Sequence, residues 1–178
     1  TTMFFPSKIP MPMTVVPECG LCKASRMRIG IIGGTGPAGS GLALRMSVAG
    51  HQVLIGSRSK ERSEEKAAEL IAQWPDHKLK FDTGTNEAAA NCDLIVVATP
   101  WDSTATIVGE YAEALRGKVV VTMANALVKV GKEFQPLVPP RGSIAAHVQA
   151  EIPGSRVVAA MQHLPAKELG NLNHHVDS

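Results

Sequence analysis

The most constraining stretch of the chain is Met27 to Arg58, MRIGIIGGTGPAGSGLALRMSVAGHQVLIGSR. Arg28-Ile29-Gly30-Ile31-Ile32 has the length and the β-branched content of a buried strand. Gly34-Thr35-Gly36-Pro37-Ala38-Gly39 follows at once and reads G-x-G-x-x-G. Leu42, Leu44, Met46 and Val48 then lie in a helical stretch that stops at Gly50. Gln52-Val53-Leu54-Ile55-Gly56 reads as a second strand. A glycine pattern held between a strand and a helix is the context in which it binds a dinucleotide. The bland alternative is a glycine-rich turn that binds nothing.

Each glycine has its own expected task. Gly34 is expected to make the tight turn by adopting φ > 0. Gly36 lacks a Cβ, so a pyrophosphate can approach the main chain. Gly39 is expected to let the helix pack close to the strand. With Thr35 and Ala38 these residues form the predicted phosphate cradle. Free amides in the first helical turn point at an anion, and the helix dipole favours it. Pro37 fits the first turn, where its missing N–H has no helical partner.

The end of the second strand selects the dinucleotide. NAD sites carry Asp or Glu about 20 residues after the glycines, to accept from the ribose 2′-OH. Here the sequence is Gly56-Ser57-Arg58-Ser59-Lys60-Glu61-Arg62, with no carboxylate at the strand end. Ser57, Arg58 and Arg62, with Lys60 nearby, suit a 2′-phosphate instead. The expected cofactor is therefore NADP(H). The alternative is that these charges only start a solvated helix.

The rest of the chain repeats the alternation. Ser63 to Trp74 reads as helix, Leu79-Lys80-Phe81 as a short strand and Asn86 to Asn91 as a short alanine-rich helix. Asp93 to Ala98 is an apolar strand, Ser103 to Leu115 a helix, and Lys118 to Met123 a strand. Pro136 to Gly142 reads as loop, Ile144 to Ala150 as helix and Arg156 to Ala160 as a sixth strand. Such alternation predicts an α/β fold, a doubly wound parallel sheet of the Rossmann type. The 178 residues suffice for one such domain. Ligands in these sheets bind outside the carboxyl ends of the strands. Thr99-Pro100-Trp101, Met123-Ala124-Asn125-Ala126 and Met161-Gln162-His163-Leu164-Pro165 thereby become site candidates.

Residues 1–26 read differently. Pro6, Pro10, Pro12 and Pro17 interrupt any helix or signal-peptide core, and Met27 opens the first strand. The expectation is a disordered extension over 1–26 and an NADP-binding domain over 27–178. Cys19 and Cys22 form C-x-x-C without a second ligand pair or a thioredoxin-like context, so neither zinc nor redox chemistry is expected of them. Cys92 reads as a small core residue. His174-His175 are adjacent and poorly placed to share an ion, so no metal is expected.

A net charge of +2 gives no electrostatic case for nucleic acid. No apolar run approaches the roughly 20 residues of a spanning helix, so no membrane partner is expected. Three cysteines make no disulfide framework, and a cytoplasmic location is the default. No G-x-S-x-G, H-E-x-x-H or P-loop pattern occurs. His163 is the one histidine just after a strand, placed to act as a general acid or hydrogen-bond donor, with Gln162 beside it. Hydride transfer needs no nucleophilic side chain, so the scarcity of other candidates is compatible with an oxidoreductase.

Several stretches together resemble the NADPH-dependent reductases of the deazaflavin coenzyme F420. They are Gly30 to Gly39 with its double glycine before Thr35, Val53 to Arg58, Pro100-Trp101, and Val157 to Ala160 with Leu164-Pro165-Ala166. The resemblance covers Met27 to about Val176. It implies reversible hydride transfer between NADPH and F420 as co-substrate. It places NADP contacts on Thr35, Pro37, Ser57, Arg58 and Arg62 and on the loops bearing Thr99, Pro100, Trp101, Ala124 and Asn125. A homodimer is the assembly it implies. Two features depart from the family pattern. A histidine often stands where this chain has Gln162, and the family continues beyond Ser178 with a smaller carboxyl-terminal region that helps close the deazaflavin cleft. The expectation is thus a domain with its carboxyl-terminal region truncated. A non-catalytic NADPH-binding module and a related reductase of a metal chelate or small imine are the alternative readings.

Overall fold

The structure, a computed structural model, describes residues 27–174. The expectations for residues 1–26, the Cys19/Cys22 pair and His175 lie outside the described residues. The chain runs β1 (Arg28–Ile32), α1 (Pro37–Val48), β2 (Gln52–Ser57), α2 (Lys60–Gln73), β3 (Phe81–Thr85), α3 (Asn86–Ala90), β4 (Leu94–Val97) and α4 (Trp101–Glu110). It continues α5 (Ala112–Leu115), β5 (Val119–Thr122), β6 (Leu127–Val130), β7 (Glu133–Pro136), α6 (Ile144–Glu151), β8 (Arg156–Ala159) and α7 (Ala166–Leu169).

Six strands form one parallel sheet in the order β3-β2-β1-β4-β5-β8. The chain winds outward from β1 to β3, then returns to β1's other side with β4. That reversal opens a crevice at the carboxyl ends of β1 and β4, where open α/β sheets bind ligands. Register is set by side-chain alternation. Ile31 pairs with Ile55 on one side and Val96 on the other, and all three face one way. They form a core with Ile29, Val53, Leu42, Ala43, Ala67 and Leu70 under α1 and α2. Ile32, Leu54, Ile95, Val97 and Val120 face the opposite way, under Val108, Leu115 and Val148 of α4 to α6 and Ile152 just after α6. Burying each large aliphatic side chain contributes roughly 1.5–3 kcal/mol, so both faces hold the strands in register.

The differences from the sequence expectation are local. The third strand runs Phe81–Thr85 rather than 79–81, because edge position relaxes the demand for apolar residues. The second helix begins at Lys60, which puts Arg62 in its first turn. The expected helix 103–115 starts at Trp101 and breaks at Tyr111 (φ −110°), two residues after Gly109. An unexpected antiparallel hairpin, β6–β7, turns at Gly131 (φ 63°). The short α7 is a second element the sequence pattern does not announce. Its last turn is held by Arg45, whose guanidinium donates to the carbonyls of Glu168, Leu169, Asn171 and His174. Gly41 allows this docking, since a Cβ there would lie 2.8 Å from Leu169 Cβ. Among the described residues no helix is long and apolar enough to cross a membrane.

Candidate active site

Residues 33–36 carry the chain from β1 into α1 across the crevice. The left-handed residue is Gly33 (φ 75°), which corrects the expectation placed on Gly34. Gly34 is needed for space instead. A Cβ there would sit 3.0 Å from Ile31 O and 3.1 Å from Ile55 Cγ2. Its amide donates to Gly56 O at 2.8 Å, tying the turn to β2. Gly39 is equally confined, with Gly33 O 2.7 Å and Gly34 Cα 2.8 Å from an added Cβ. Gly36 is different. The nearest atoms to a Cβ there are Gly33 O at 3.4 Å and Ala98 O at 3.9 Å, which is ordinary contact. Protein packing does not require glycine at 36, whereas close approach of a ligand to the main chain would.

The start of α1 is open for an anion. Gly36 is its N-cap with extended backbone, Pro37 opens the helix, no side chain caps it, and its first turn has no acidic residue. The amides of Ala38 and Gly39 therefore have no helical partner, and the positive end of the dipole adds to them. A pyrophosphate fits this donor set.

At the end of β2, Ser57 is only 3% exposed, and its Oγ lies 3.5 Å from Thr35 Oγ1. Arg58 and Arg62 are exposed and make no ion pair among the described residues. Lys60 turns instead to Glu64 at 3.3 Å. The cations available for a 2′-phosphate are thus Arg58 and Arg62. Both line a cleft of about 500 Å³ together with Thr35, Gly36, Ser57, Asn86, Thr99 and Pro100.

A second cavity of about 350 Å³ continues from the first past Gly36, Thr99 and Pro100, and adds Pro37, Ala38, Trp101, Met123, Ala124 and Asn125. The corner between the two is fixed by Thr104. Its hydroxyl is fully buried and donates to Pro100 O at 2.7 Å, while Thr99 Oγ1 lies 2.8 Å from it. Neither Gln162 nor His163 is among the residues lining either cavity. They follow Met161, a non-glycine residue with φ 62°, and the Gln162 carbonyl accepts from Asn125 Nδ2 at 3.2 Å. His163 is exposed. Sequence reasoning missed Asn86, Ser103, Thr104 and Ile107. Their roles depend on where α3 and α4 sit, and no motif spacing reports that.

A family model described as NADP oxidoreductase coenzyme F420-dependent matches residues 28–126, from the start of β1 to the loop after β5. The chain belongs to that family. An F420-dependent NADP reductase of Methanocaldococcus jannaschii is 35% identical over 156 residues, which is 85% of this chain and 70% of that protein. One from Methanothermobacter marburgensis is 33% identical, with the same coverage. A solved structure from Arthrobacter sp. FB24, described as a candidate F420-dependent NADP-reductase, superposes with a TM-score of 0.64 at 28% identity, covering 79% of this chain and 64% of that one. The chain therefore spans about two thirds of that structure's length. The matched segment contains every residue of the family member's first cavity and all of the second.

Proposed function

We propose that this family member is an oxidoreductase that transfers a hydride between NADP(H) and the deazaflavin coenzyme F420. The observation that carries the nucleotide half is the pair of guanidiniums, Arg58 and Arg62, set free beside buried Ser57 where an NAD site would hold a carboxylate. Gly36, Ala38 and Gly39 would hold the pyrophosphate by their main chain, and Thr35, Ser57, Arg58 and Arg62 the 2′-phosphate. The continuous path past Thr99 and Pro100 leads to the second cavity, where Trp101, Ala124 and Asn125 would line the nicotinamide end. When bound, the nicotinamide supplies the hydride. The chain supplies position and exclusion of water, with no covalent intermediate. Gln162 and His163, which line neither cavity, are proposed as hydrogen-bond donors to the second ring, on a loop tied to Asn125 through the Gln162 carbonyl. Residues 27–178 as the NADP-binding domain, a homodimer and a cytoplasmic setting belong to the same proposal.

The test compares two titrations and one reaction. Calorimetry should show NADPH binding at least tenfold tighter than NADH. Mixing NADPH with oxidised F420 should bleach the deazaflavin absorbance. Equal affinity for the two nucleotides would remove the basis of the proposal at Arg58 and Arg62.

A further inference from the structure

The short helix α3 lies unusually close to the sheet, and glycines are the reason. Gly30 on β1, Gly56 on β2 and Gly84 on β3 all face it. A Cβ on Gly30 would collide with the Ala89 carbonyl, one on Gly56 would lie 2.7 Å from Ala89 Cβ, and one on Gly84 3.0 Å from Ala88 Cβ. Ala88 and Ala89 thus seat over glycines on three strands, β1, β2 and β3. That seat fixes the helix's first residue. Thr85 already caps α3, its hydroxyl accepting from Ala88 N at 3.3 Å. The carboxamide of Asn86 is not needed for capping. It is 7% exposed, lines the larger cleft, and its Oδ1 accepts from the Gly33 amide at 3.1 Å.

Gly33 is the left-handed residue on which the cradle turns, and its Cβ-less face rests on Thr99. A residue at φ 75° samples other conformations readily when it is glycine. Its part-buried amide has Asn86 Oδ1 as its protein partner, so removing Asn86 takes away the bond that holds it. We propose that Asn86 is a positioning residue: docked by the glycine–alanine seat of α3, it locks Gly33 and so pre-forms the main-chain cradle for the pyrophosphate. The inference rests on the NADPH reading of the site. It concerns the part of the site shared by NADPH and NADH, which separates it from the guanidiniums that distinguish them.

The experiment is calorimetric titration of the wild-type chain and Asn86→Ala with NADPH and with NADH, beside amide hydrogen exchange at Gly33 in the wild type. Asn86→Ala should weaken both nucleotides by a similar factor, about tenfold, equivalent to about 1.4 kcal/mol, at unchanged stoichiometry. Gly33 in the wild type should exchange as slowly as the β1 amides. Unchanged affinity in a folded variant overturns the inference, as does reduced stoichiometry at unchanged affinity, which marks a purely structural role. If the variant fails to fold, rapid exchange at Gly33 in the wild type overturns it alone. A wild-type chain that binds neither nucleotide defeats the site reading itself, and the inference falls with it.

Discussion

Asn125 Nδ2 donates to the main-chain carbonyl of Gln162 at 3.2 Å, joining the loop after β5 to the loop after β8. The neighbouring Met161 holds φ 62°, a conformation that costs a non-glycine residue roughly 1–2 kcal/mol. Its half-buried side chain packs on the core beneath α1. The bond and the packing together hold the loop that carries Gln162 and His163. Asn125→Ala should therefore lower turnover about tenfold or more, while NADPH affinity changes less than threefold. Steady-state kinetics beside a nucleotide titration checks this split.

The two glycines of the cradle should behave oppositely. Gly36→Val places a side chain where the protein leaves ordinary room, the nearest atom being 3.4 Å from the Cβ. It should fold normally and lose NADPH binding. Gly39→Ala forces a Cβ to 2.7 Å from Gly33 O, so it should lower the melting temperature, with overpacking costing about 1–3 kcal/mol. Thermal melts and titrations of the two variants distinguish these outcomes.

In the proposed site Arg58 would carry the selectivity for NADPH. Arg58→Ala should weaken NADPH about tenfold or more and leave NADH nearly unchanged, because only NADPH offers a phosphate to the guanidinium. Arg58→Lys should recover part of the loss, since the charge is kept and the planar fork is not. The quantity to measure is the ratio of the two affinities.

The sheet was legible because β1, β2, β4 and β5 are apolar runs, and runs buried on both faces announce themselves. The edge strand β3 was misplaced because Leu79, the most apolar residue nearby, is buried in a turn and not in the strand, its amide bonding to His77 O. The hairpin was missed because its strand residues, among them Val130 and Phe134, are exposed and carry no burial pattern. Within the site, the glycine motif located the cradle but assigned the left-handed turn one residue late. Its spacing cannot distinguish a glycine required by φ, as Gly33 is, from one required by space, as Gly34 is. Asn86 was invisible for a different reason: its partner Gly33 lies 53 residues away in sequence, and only the packing of α3 brings them together.

Cys92 is buried, and that burial pushes its thiol pKa up. The peptide carrying it should resist alkylation in the native chain and react on unfolding. The sign of the pH effect follows. A thiol whose folded pKa is raised stays protonated while the unfolded chain ionises, so its contribution is fully present below the ordinary thiol range and is lost as pH rises from that range through the raised folded pKa. Chemical denaturation across the alkaline range should show wild type losing stability more steeply than Cys92→Ala.

The proposed reaction passes the hydride directly from nicotinamide to deazaflavin. NADPH carrying deuterium stereospecifically at the reactive ring carbon is incubated with the chain and oxidised F420, and the reduced deazaflavin is analysed by mass spectrometry. Deuterium should appear on the deazaflavin ring from one stereoisomer of NADPH only, because a nicotinamide held in the proposed site past Thr99 and Pro100 would present one face to the second ring. Tight NADPH binding with no label on the deazaflavin would rule out that transfer and leave a nucleotide-binding module in its place.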